Sequence, residues 1–211
     1  MNAIEVNNLS LQIDKHQILQ GVTVSFEEGK IHGLIGRNGS GKTMLMRCIC
    51  GFVHPTAGTV VVQNQQVGKD IDFPDDMGII IETPGFIPQY SGLRNLKLLA
   101  ALNRKIGTEQ IRAAMRSVGL DPDMKRKVRK YSLGMRQRLG LAQAIMENPS
   151  ILILDEPFNG LDKEGVEEMR SYLLNLRKQG KTVLIASHSA EDISVLCDTV
   201  HEMDHGIITE L

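Results

Sequence analysis

"KIHGLIGRNGSGKTMLMRCICGFV", Lys30 to Val53, decides how the rest of the chain is read. It opens on a short apolar run, turns through a glycine-rich stretch, and continues as an apolar run that reads as a helix. Its middle, Gly36 to Thr43, matches G-x-x-x-x-G-K-[ST] in the strand-then-helix context that this pattern requires. Backbone N–H groups of such a loop converge on an anion, and the following helix directs its positive end to the same point. Glycines are needed because the chain adopts positive φ and a side chain would block the phosphates. Gly36, Arg37, Asn38, Gly39, Ser40, Gly41, Lys42 and Thr43 are therefore the expected phosphate site. Lys42 would reach the β- and γ-phosphates, and Thr43 would ligand Mg²⁺.

Upstream of the loop, "AIEVNNLSLQI" and "GVTVSF" read as strands. Downstream, "GTVVVQN" and "MGIIIE" are further strands. From about Ser91 to Glu147 the period changes, and three segments carry apolar residues at helical spacing. Thr108, with Glu109 and Gln110 behind it, marks one helix start. After Pro149 the alternation returns: "ILILD", a helix, "KTVLIAS", a short helix, and the terminal strands "TVHEM" and "GIITEL". Continuously apolar strands separated by helices imply a parallel sheet covered on both faces. The expectation is an α/β core from residues 1–85 and 149–211, with a helical subdomain, 86–148, inserted into it.

A phosphate loop needs an acidic partner, and "ILILDEP", Ile151 to Pro157, supplies one. Asp155 would hold the Mg²⁺ shell, and Glu156 would orient or deprotonate the attacking water. The strand "KTVLIAS" ends at Ser187-His188, at the same edge of the sheet. A histidine there can be an ordinary loop residue or can bind the γ-phosphate and sense its loss.

The bulk numbers set bounds. A net charge of -1 argues against a dominant nucleic-acid field, so no nucleic-acid partner is expected. Three cysteines, Cys48, Cys50 and Cys197, form no metal-finger pattern and read as buried thiols in a reducing compartment. No secretory leader is evident, and no run approaches the ~20 apolar residues of a membrane span.

"YSLGMRQRL", Tyr131 to Leu139, has a serine and a glycine two apart, with no histidine or carboxylate beside the serine to activate it. Together with "GRNGSGKT", "ILILDEP", "NGLD" (Asn159 to Asp162) and Ser187-His188, it resembles the nucleotide-binding subunits of ABC transporters, in order and spacing over essentially the whole chain. The resemblance implies a P-loop NTPase (RecA-like) core with an N-terminal antiparallel β subdomain and an inserted α-helical subdomain. It implies ATP and Mg²⁺ as ligands, with Lys42, Glu156 and His188 as the catalytic set. It implies that Ser132, Leu133, Gly134 and Met135 face the ATP of a second subunit, so that ATP is sandwiched in a dimer, homomeric or with a related ATPase. A separate transmembrane permease would be the other partner, with this chain cytoplasmic on the inner face of the membrane.

Three departures from the family pattern stand out. The signature, usually L-S-G-G-Q, reads Y-S-L-G-M here. Glu82 stands where the family usually has glutamine and would join the Mg²⁺ ligands. The adenine-stacking aromatic is missing: its place falls near Ile13, with His16 close by. Glu82 and the segments after it narrow the resemblance to ATPase subunits of bacterial antimicrobial-peptide exporters of the bacitracin and lantibiotic kind. Phe86, Ile87 and Tyr90, in a segment with Pro84, Gly85, Pro88 and Gly92, are either permease contacts or core anchors. The run "KRKVRK", Lys125 to Lys130, reads as a solvated face in preference to a lipid-headgroup or nucleic-acid patch, given the net charge near zero. A non-transport ABC ATPase acting on ribosomes or DNA is the alternative, disfavoured by the single cassette and the absence of a sustained heptad run.

Overall fold

The structure, a computed structural model, describes residues 1–82 and 85–211. Pro84 lies outside the described residues. The chain opens with two long strands, β1 (Asn2–Ile13) and β2 (His16–Glu27), followed by β3 (Ile31–Ile35) and helix α1 (Lys42–Ile49). Next come β4 (Ala57–Val62), the short β5 (Gln65–Gln66) and β6 (Met77–Ile80). Helices α2 (Gly92–Asn103), α3 (Thr108–Ser117) and α4 (Leu133–Ile145) fill the middle, with a 3-10 turn at Val128–Lys130. The chain then alternates through β7 (Ile151–Asp155), α5 (Lys163–Lys178), β8 (Thr182–Ala186) and α6 (Ala190–Leu196), and ends in β9 (Thr199–Asp204) and β10 (Ile207–Glu210).

Two sheets result. The antiparallel sheet runs β2-β1-β4-β5, and the larger sheet runs β10-β9-β3-β8-β7-β6. In the larger sheet β9, β3, β8, β7 and β6 are parallel, with β10 antiparallel at one edge. β8 is buried at all five positions, as its unbroken Thr-Val-Leu-Ile-Ala sequence requires of a strand covered on both faces. One face packs on the helices: Leu154, Val183 and Ile185 share a core with Leu96, Met115 and Leu139. The other face packs on α1 and the antiparallel sheet, where Leu34, Ile153 and Leu184 meet Leu45, Ile49, Leu9 and Phe26. Each fully buried side chain of this kind contributes about 1.5–3 kcal/mol.

The helices α2 to α4 fall in sequence between β6 and β7, which are neighbours in the sheet. They share one continuous core with the sheet, so the sheet braces them directly. Helix α3 begins one residue after its N-cap, Gly107, whose N–H donates to Gln110 Oε1 at 3.2 Å. Cys48 and Cys50 are buried, which pushes their thiols up to about 11 and about 12 and keeps them unreactive.

The candidate nucleotide site

Three loops meet because three strands are neighbours. β3, β8 and β7 are consecutive and parallel, so the segments leaving their C-terminal ends open on one edge of the sheet. They carry Gly36–Thr43 after β3, Asp155-Glu156 at the end of β7, and Ser187-His188 after β8. The last six residues of the phosphate loop, Asn38 to Thr43, line a cavity of about 660 Å³ together with Glu82, Asp155, Glu156 and His188.

The loop itself is built for close approach. Gly36 has φ 141°, and a Cβ there would lie 2.1 Å from Met203 O, so only glycine fits. A Cβ on Gly39 would meet nothing within 4 Å; that position opens onto the cavity. Helix α1 has Gly41 as its N-cap, left-handed at φ 111°, and no side chain caps it. Its first amides are therefore not consumed by a serine or aspartate. Ser40 Oγ is buried and has no hydrogen-bond partner. Lys42 Nζ donates to Gly36 O at 2.7 Å and Arg37 O at 3.1 Å, which holds the ammonium inside the loop's curve. Burial lowers its pKa, against the opposing charges of Glu156 and Asp155. Uncapped amides, an unpartnered hydroxyl and an enclosed ammonium suit a polyphosphate. Arg37 is exposed and contributes its carbonyl, not its side chain.

The acidic side faces the loop. Thr43 Oγ1 donates to Asp155 Oδ2 at 2.7 Å, linking α1 to the end of β7. Glu156 follows at φ 49°, in the left-handed region that a non-glycine residue seldom adopts. Its N–H donates to Ala186 O at 2.9 Å, and Gln137 Nε2 donates to its carbonyl at 3.3 Å. Its Oε1 is buried, unaligned for any hydrogen bond, yet 3.2 Å from His188 Nε2. Burial raises the Glu156 pKa; the charge of His188 opposes this and that of Asp155 adds to it.

Glu82 also borders the cavity, at φ 60°, and its carboxylate pairs with Arg47 Nη2 at 2.7 Å. Ile13 does not reach the cavity: it ends β1, 43% exposed, opposite His16. The apolar side chains beside the loop are Ile18 and Met44. β1 and β2 pair through several register shifts, and counting residues back from the loop cannot anticipate such bulges. Sequence reasoning missed Gln137 and Arg47: Gln137 lies in the Tyr131–Leu139 stretch but after the residues that carry the signature, and Arg47 belongs to no motif.

Ser132 and Gly134 have separate local tasks. Ser132 is the N-cap of α4 and accepts from the Met135 N–H at 3.2 Å. A Cβ on Gly134 would lie 2.6 Å from Gly160 O, so the glycine lets α4 approach the segment after Glu156. Leu133, 59% exposed, covers Gly160 and lines the cavity. Met135 is half-buried, its sulfur 3.9 Å from Arg126 Nη1.

A phosphate loop, an acidic strand end and a histidine, joined on one parallel sheet, define a nucleotide-hydrolysing cassette. The family described as ABC transporter matches residues 19–159. YybJ of Bacillus subtilis (strain 168), named as an uncharacterized ABC transporter ATP-binding protein, is 46% identical over 96% of this chain and 93% of its own. The bacitracin transport ATP-binding protein BcrA of Enterococcus faecalis is 39% identical over 98% of this chain and 68% of its own. The lantibiotic transport ATP-binding protein SrtF of Streptococcus pyogenes is 33% identical over 97% and 88%. Among solved structures, the dimeric bacterial ABC transporter cassette MJ0796 aligns with a TM-score of 0.89 at 22% identity, over 99% of this chain and 97% of that one. The same cassette as a post-hydrolysis dimer bound to ADP and Pi gives 0.88. The chain belongs to the ABC transporter family, as an ATP-binding, ATP-hydrolysing subunit of a transporter.

Proposed function

We propose that this subunit powers export of an antimicrobial peptide through a separate transmembrane permease, working as an ATP-bound dimer on the cytoplasmic face of the membrane. One observation carries the motor reading: Lys42, the Thr43–Asp155 pair and the Glu156–His188 pair surround a single cavity. The names of the bacitracin and lantibiotic relatives support the cargo class. Among the described residues no helix is long and apolar enough to cross a membrane.

ATP would lie with its phosphates in the Gly36–Thr43 loop and its base toward Ile18 and Met44, the apolar side chains beside the loop. Lys42 would neutralise charge that develops on the γ-phosphoryl oxygens. Thr43 and Asp155, with Glu82 beside them, would hold Mg²⁺, which supplies charge neutralisation at the phosphates when bound. Glu156 would position or deprotonate the water that attacks the γ-phosphorus, and His188 would hold that carboxylate and the γ-phosphate in line. Ser132 to Met135 would complete the site of the other subunit, a copy of this chain or a related ATPase. Ile87, 43% exposed, would meet the permease together with Tyr90, whereas Phe86 packs against the helical core; Asn95 fixes the segment on α2, accepting the Ile87 N–H at 2.7 Å and donating to Ile87 O at 3.1 Å.

The test is to tag the chain in its native host, extract it in mild detergent and identify stoichiometric partners by mass spectrometry. A polytopic membrane protein is expected, together with peptide-antibiotic sensitivity when either gene is deleted. Recovery of ribosomes or a DNA complex would overturn the transport reading.

A further inference from the structure

The imidazole that meets Glu156 is held by surprisingly little packing of its own. His188 is 48% exposed at the side chain and borders an open cavity of about 730 Å³. Its position must therefore come from the backbone on either side of it. Ser187 Oγ donates to Asp192 Oδ2 at 3.2 Å and accepts the Ser189 N–H at 3.1 Å. Ser189 Oγ accepts the Asp192 N–H at 3.2 Å, capping α6. Both neighbours of His188 thus end on Asp192.

Asp192 is in turn tied to a different helix. Its side chain is 6% exposed, and its second oxygen, Oδ1, accepts from Arg170 Nε at 2.8 Å and from Nη2 of the same guanidinium. Arg170, 12% exposed, uses its remaining Nη1 on Glu191 at 2.9 Å. Arg170 sits on α5, the helix that begins at the Asp162 N-cap, six residues after Glu156. The pair therefore bridges the helix following the Glu156 segment to the helix following the His188 loop. A nearly buried ion pair is a poor way to gain stability but a good way to specify one geometry.

We propose that Arg170 and Asp192 are positioning residues for ATP hydrolysis, their ion pair fixing the Ser187–Ser189 loop so that His188 stays against Glu156. This rests on the reading that His188 takes part in hydrolysis. Neither residue touches the phosphate loop, so nucleotide binding does not depend on them.

The test is a double-mutant cycle between Arg170→Met and His188→Ala, read as ATP turnover and, separately, as equilibrium ATP affinity by calorimetry. Alone, Arg170→Met lowers kcat about tenfold or more, as small displacements of catalytic groups do, with ATP affinity within about twofold of wild type. Placed on His188→Ala, it costs nothing further, because groups that act as a unit are not additive. Arg170→Lys, which keeps the charge, restores part of the loss. Should Arg170→Met fail to fold, Asp192→Asn takes its place, since it retains the shape and the acceptor for Ser187. Losses that multiply in the His188→Ala background, or an unchanged kcat in the single variant, overturn the proposal. An unchanged kcat in His188→Ala alone removes the role of the histidine and, with it, the positioning claim.

Discussion

Helices α1 and α4 both begin at the nucleotide cavity, and they begin in opposite ways. α1 starts from Gly41, left-handed and without a side-chain cap, so its first turn of amides is left to whatever occupies the loop. α4 starts from Ser132, whose hydroxyl already accepts the Met135 N–H. The first helix end is closed by its own subunit: an ammonium behind it and the Thr43–Asp155 pair beside it. The second is exposed at Ser132 and Leu133. An anion site at a helix start is thus made by leaving out the cap and enclosing the amides. A capped, exposed helix start needs a second molecule before it becomes one.

The largest effects fall on the enclosed end. Glu156→Gln is expected to lower turnover by about a hundredfold to ten-thousandfold, while equilibrium ATP binding stays intact and the ATP-bound dimer accumulates in ultracentrifugation. Phosphate release close to the wild-type rate would place the water-handling group elsewhere. Lys42→Ala removes the one ammonium inside the loop and is expected to weaken ATP binding by about ten- to a hundredfold. A calorimetric affinity equal to wild type would undo the phosphate-loop assignment.

The contrast also explains what the sequence could and could not convey. The enclosed end is local: a strand, Gly36 to Thr43, and a helix follow one another, so spacing alone exposes it. The alternating and continuous apolar patterns likewise announced β7, β8 and the helices between Ser91 and Glu147. What stayed hidden depends on tertiary pairing. Arg47 meets Glu82 across 35 positions and Gln137 meets the Glu156 carbonyl across 19, with no periodicity connecting either pair. Ile13 is displaced from the cavity because bulges in β1 and β2 shift the count. The left-handed backbone at Glu156 accompanies a bond to Ala186 on the neighbouring strand, a tertiary pairing that no local pattern encodes.

Ser132→Ala separates the two possible uses of the exposed end. As a cap, Ser132 contributes about 1 kcal/mol, which in a chain of this size lowers Tm by about 2–4 °C. As a contact to the other subunit's ATP, it would also lower turnover and weaken dimerisation in Mg-ATP. Ser132→Asp keeps the cap but adds negative charge, so it should restore Tm while leaving turnover and dimerisation depressed. If Asp restores everything, the serine is only a cap, and the comparison between the two helix starts loses its second member.

The smallest expected effect concerns the border between the two ends, at Glu82. Its carboxylate is paired with Arg47 while bordering the cavity that holds Thr43 and Asp155. Two cations would thus compete for one carboxylate: the guanidinium and Mg²⁺. Glu82→Gln should raise the Mg²⁺ concentration needed for tight nucleotide binding. Arg47→Ala, by releasing the carboxylate, should lower it. Each shift is expected to be about two- to fivefold, the size of an exposed ion pair. Calorimetric ATP titrations at a series of Mg²⁺ concentrations read both without relying on turnover. Opposite shifts place Glu82 in the metal's environment. Coincident curves for both variants confine it to its pair with Arg47, leaving Thr43 and Asp155 to hold the metal from the enclosed end alone.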